Sequence, residues 1–103
     1  MTLNELIKNS NNLLETNIEL EGYLTQGRRK HSSFLFFDLR DSFTEDENEP
    51  KIQLVLKEWE IEDFKHVQKS VVVGDLVKVT GKLVPVSAKR PYEVIVKTIK
   101  KVN

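Results

Sequence analysis

Cysteine is absent from this chain of 103 residues, which excludes disulfide frameworks, thiol nucleophiles and cysteine-held zinc or iron–sulfur sites. Histidine is scarce, and His31 and His66 stand 35 positions apart, a spacing that gives no support to a metal site. Neither a metal nor another cofactor is expected. No run of about 18 apolar residues is present, and the first residues, MTLNELIKNS, lack the basic start and apolar stretch of a signal peptide. The chain therefore reads as soluble and cytoplasmic, with no membrane partner. Net charge is missing too: 16 Lys+Arg balance 16 Asp+Glu, which argues against a protein held to nucleic acid by bulk attraction. A chain this short buries a bit over about 60% of its unfolded surface, enough for one core. A single domain over 1–103 is expected, with no room for a separate catalytic unit.

What charge there is lies in blocks. Arg28, Arg29, Lys30 and His31 form one basic run and Lys89 and Arg90 another, while Glu45, Asp46, Glu47 and Glu49 crowd the segment between them. A folded domain can thus present one positive and one negative face, although such runs also serve simply to keep loops solvated.

Residues 3–15 place Leu3, Ile7, Leu13 and Leu14 among polar residues, with Thr2 as a cap for Glu5, and predict a short amphipathic helix that frays near Asn9 to Asn12. From Asn17 the period changes to two, since Ile18, Leu20, Gly22 and Leu24 alternate with Glu19, Glu21, Tyr23 and Thr25. This first strand ends in a basic turn, Gly27 to Lys30. A second strand runs from Phe34 to Asp41 and a third from Lys51 to Lys57. The spacing of Ile61, Phe64 and Val67 predicts a one-sided helix over Trp59 to Lys69, and Leu76–Leu83 and Tyr92–Lys101 complete five strands. This order fits an OB-fold, a small all-β Greek-key barrel spanning about 17–102 here, with a helix between its third and fourth strands. An open five-stranded sheet capped by a helix fits the same order. Gly22 and Gly81, inside strands where a small barrel must bend, favour the barrel.

Alternation also sorts the faces. Leu35, Phe37 and Leu39 on the second strand and Ile52, Leu54 and Leu56 on the third are expected inside, together with Phe64. Asp38 and Arg40 are costly to bury without partners, so the two-residue period turns Phe34 and Phe36 outward with them. The outward sets of the first three strands then give a surface of Tyr23, Phe34, Phe36, Gln53 and Val55. Aromatics beside an amide suit a planar ligand such as a nucleobase, and flanking Lys and Arg suit a phosphate backbone. Cover by the N-terminal helix or by a partner protein would instead make the patch ordinary core.

These residues resemble a known family. Asn4 to Ile7, Thr16 to Leu24, Arg28-Arg29, Phe34 to Asp41, Ile52 to Val55 and Gly74 to Gly81 are similar to the N-terminal anticodon-binding OB domain of class II aminoacyl-tRNA synthetases, and most similar to the aspartyl, asparaginyl and lysyl group. The resemblance implies that Phe36 stacks on an anticodon base, that Gln53 hydrogen-bonds the central uridine, and that Arg28 and Arg29 touch the anticodon stem and loop. It departs from the family in having Tyr23 where Trp is usual, a shortened first turn, and an extended acidic loop from Ser42 to Pro50. The family's ATP-binding motifs do not fit in the chain, which is expected to be either an excised synthetase domain or a free-standing OB protein.

The expected function is a non-catalytic tRNA anticodon or single-stranded RNA module, with Phe36, Gln53, Arg28, Arg29, Phe34, Tyr23, Lys30, Lys89 and Arg90 as its site. A single-stranded DNA binder and an OB subunit that holds a protein partner, or a missing catalytic domain, are the alternatives. Enzyme activity ranks last, because Asp38, Asp41 and Asp63 have no partner at the spacing a catalytic site needs.

Overall fold

The computed structural model describes residues 1–31, 33–44, 46, 48–87 and 92–102, with the side chains of 28–31 outside that description. Five strands close into a barrel: β1 (Asn17–His31), β2 (Phe34–Arg40), β3 (Ile52–Lys57), β4 (Leu76–Pro85) and β5 (Tyr92–Lys101). Their order around the barrel is β1-β2-β3-β5-β4, with β1 antiparallel to both β2 and β4 and β3 parallel to β5. Closure removes the free sheet edges that the open alternative would leave.

Close approach explains two glycines. A Cβ on Gly22 would lie 2.6 Å from the Arg40 carbonyl oxygen, and one on Gly81 would collide with the Ile95 carbonyl oxygen at the point where the β4–β5 register slips. Gly27 is different from expectation. The Gly27 to Lys30 segment is not a turn but belongs to β1, with Gly27 to Arg29 paired with Phe37 to Leu35, and a Cβ on Gly27 would lie 2.9 Å from the Phe37 ring. The glycine makes room for a core aromatic; it does not turn the chain.

The seven residues expected inside are all buried, with Leu54, Leu56 and Leu39 wholly inaccessible. The helices plug the barrel. The N-terminal one divides into α1 (Leu3–Lys8) and α2 (Ser10–Leu13), which meet at Asn9. Leu3 and Leu6 enter the core while Ile7 stays exposed, since a six-residue helix can face only one apolar pair inward. The Thr2–Glu5 capping box forms as the sequence predicts. Asp41, just past β2, accepts hydrogen bonds from the Leu3 and Asn4 amides at 2.7 and 3.0 Å. With Thr2 Oγ1 accepting from the Glu5 amide, the first-turn donors of α1 are satisfied.

The helix expected over Trp59 to Lys69 is shorter. Residues 58–63 form turns, Asp63 adopts a left-handed conformation with φ of 58°, and only then does α3 (Phe64–Ser70) begin. Ile61, Phe64, Val67 and Val71 still reach the core.

Candidate nucleic-acid interface

Phe37 is buried, while Phe34 and Phe36, on the outer side of β2, remain half-buried. Their rings lie parallel, 7° apart in tilt, with centroids separated by 6.3 Å. The register places Val55 beside Phe36 and Lys57 beside Phe34 on β3, and Arg28 opposite Phe36 on β1. On β5, Ile95 lies next to Val55 and Glu93 next to Gln53.

Two expectations for this face are corrected. Gln53, expected in the open, is 7% exposed, and Val55 is buried as well. β3 is flanked by a strand on each side, so its outer side chains lie between cross-strand neighbours: Phe36 and Ile95 at Val55, Asp38 and Glu93 at Gln53. Asp38 and Arg40, expected to be exposed, are also buried. Each has a partner. Lys51 stands 3.8 Å from the Asp38 carboxylate, and Arg40 donates from one guanidinium nitrogen to the Thr44 and Asp46 carbonyls, which fold the acidic loop over it.

Tyr23 is not brought next to the aromatic pair. It pairs with Arg40, four residues along β2 from Phe36 or about 13 Å at the usual rise. Arg28 and Arg29 lie on β1 in register with β2 and Lys30 falls at the register shift that follows them, their side chains outside the described residues, as Lys89 and Arg90 are altogether.

One residue of this face escaped sequence reasoning. Trp59 is 64% exposed and meets the Phe34 ring edge to face at 5.1 Å, while Lys57 Nζ lies 5.9 Å from the indole centroid. Helical spacing hid it by assigning it to the helix that actually starts at Phe64. A signal was nonetheless available, since the chain's single tryptophan follows directly on the strand that carries Gln53 and Lys57.

The N-terminal helices leave this face open: Asp41 ties α1 to the far end of β2, and Ser10 donates a hydrogen bond to the Tyr92 hydroxyl. Among the described residues, no group of His, Asp and Glu is arranged to hold a metal. No helix among them is long and apolar enough to cross a membrane.

Comparison with known proteins agrees with this geometry. The tRNA anti-codon family, an OB-fold nucleic acid binding domain, matches residues 18–102. No curated protein sequence matches the chain. Among solved structures, asparaginyl-tRNA synthetase from Pyrococcus horikoshii is similar over 99% of this chain with a TM-score of 0.73 and 17% identity. The chain spans 22% of that enzyme's length.

Proposed function

The chain belongs to the tRNA anti-codon family of OB-fold nucleic acid binding domains, and from that premise we propose that it holds the anticodon loop of a tRNA on the outer face of β1 to β3. The observation that carries this reading is the parallel pair Phe34 and Phe36, kept half-exposed on a face whose neighbouring positions are polar or filled. A base stacked on such a ring gains about 1 to 3 kcal/mol whichever base it is.

Gln53 supplies the selective element. Its amide both donates and accepts, which is what the edge of a uridine requires. It lies one row along from Phe36 and is nearly buried, so a base must sit directly over it to reach its amide. Arg28, the register partner of Phe36, together with Arg29, Lys30, Lys57, Lys89 and Arg90 supplies phosphate contacts. Four to six such contacts give a log-log salt slope of roughly −3 to −4 for a single strand. The larger setting we favour is an asparaginyl- or aspartyl-type tRNA ligase whose catalytic domain lies elsewhere, with this domain binding and not catalysing.

The test uses two variants on two stem-loops that differ only in a central uridine or cytidine. Phe36→Ala is expected to weaken both by about 1 to 3 kcal/mol with the fold intact. Gln53→Ala is expected to weaken the uridine loop and leave the cytidine loop nearly unchanged. Equal losses for Gln53→Ala would indicate a non-specific single-strand binder. No loss for Phe36→Ala would remove nucleic acid from this face and favour a protein partner.

A further inference from the structure

We propose that Trp59, with Lys57, forms a second stacking subsite that holds one nucleotide beyond the Phe34–Phe36 pair. Three observations meet there. First, the indole is 64% exposed although it is the largest side chain in the protein, and large aromatics contribute most by being covered. Second, it is positioned: its edge-to-face contact with Phe34 at 5.1 Å makes it a continuation of the Phe36–Phe34 row. Third, Lys57, whose ammonium faces the indole, also lines a basic cleft of about 470 Å³ formed with Lys82 and Lys97 around Ile95, with Glu15, Asn17 and Glu60 at its margin. Glu15 is occupied by Lys82 at 3.2 Å. Lys57 and Lys97 therefore outnumber the one remaining carboxylate, Glu60, and the occupant they favour is an anion.

An exposed π-face next to ammonium groups matches one nucleotide, with the base on the indole and its phosphate toward Lys57 and Lys97. The same cleft gives a protein partner no apolar floor beyond Ile95. The register sets the direction of the path. Phe36, Phe34 and Trp59 follow β2 toward its first residue and past the end of β3, away from Arg40 and Asp41. A loop bound at Phe36 thus has its next base at Phe34 and a further one at Trp59.

This inference rests on the proposal that the Phe34–Phe36 face binds RNA, and the experiment separates the two. Trp59 is the single tryptophan, so its fluorescence reports this position alone. The 103-residue protein is titrated with the uridine-centred stem-loop while indole emission is followed, and affinities are measured by anisotropy of the labelled RNA for the wild type, Trp59→Ala, Trp59→Phe and Phe36→Ala. Quenching that saturates with binding is expected, with a loss of about 5- to 150-fold for Trp59→Ala and most of the affinity restored in Trp59→Phe. Lys57→Gln is expected to reduce the salt slope by about 0.7, the share of one phosphate on a single strand. RNA binding that depends on Phe36 but leaves emission and Trp59→Ala affinity unchanged would overturn the subsite alone. Absence of RNA binding to the wild type would overturn both proposals.

Discussion

The two ends of β2 use their side chains in opposite ways. At the Arg40 end the polar groups turn inward: Asp41 accepts from the α1 amides, and Arg40 donates from one guanidinium nitrogen to the Thr44 and Asp46 carbonyls, although its buried Nε finds no partner among the described residues. At the Phe34 end the rings of Phe34, Phe36 and Trp59 hold one another in place and remain open to solvent. One strand thus carries both an anchor and a platform. The difference shows how one strand divides its roles: buried Arg40 holds a loop, whereas half-buried Phe36 has a face to offer.

Leu54→Ala acts on both ends together. Leu54 is wholly inaccessible beneath the face, and its truncation is expected to cost about 2 to 5 kcal/mol in chemical denaturation. A smaller loss would mean that the core collapses around the gap. Phe36→Ala separates the ends from one side, lowering RNA affinity by about 1 to 3 kcal/mol while the thermal midpoint stays near that of the wild type. Asp41→Ala separates them from the other, costing about 0.5 to 2 kcal/mol of stability through the lost cap with RNA affinity unchanged. If Asp41→Ala weakened binding as much as Phe36→Ala does, the ends would not be independent.

The smallest effect is one of pH. Hydrogen bonds from the Thr2 amide and hydroxyl hold the Glu5 carboxyl below its ordinary value of 4.5. A carboxyl lowered on folding contributes stability that is present above its unfolded value and is lost as pH falls through the folded one. Fraying of α1, followed by amide exchange at Leu3 to Leu6, is therefore expected below pH 4.5 and not above it. In Glu5→Gln the step should vanish.

The inner faces of β2 and β3 were legible because burial imposes a strict two-residue period, and a slip of one would have exposed Phe37. Gln53 was legible as outward but not as covered, since one of its two flanking neighbours, Glu93, sits on β5, a strand some forty positions away whose parallel pairing leaves no local trace. Gly27 beside three cationic residues carries every mark of a turn; its reason, the Phe37 ring across the ladder, belongs to tertiary packing. Trp59 was missed because Ile61, Phe64 and Val67 keep helical spacing back through a segment that the left-handed Asp63 separates from α3.

The most direct test of the account is a backbone and indole chemical-shift titration of the protein with the uridine-centred stem-loop. The account predicts that the largest shifts fall on Phe34 to Asp38, Ile52 to Lys57 and the Trp59 indole, while Leu3 to Leu6, Glu21 and Asp41 barely move. Shifts concentrated at α1 and Asp41, with Phe36 and its β3 neighbours silent, would contradict it.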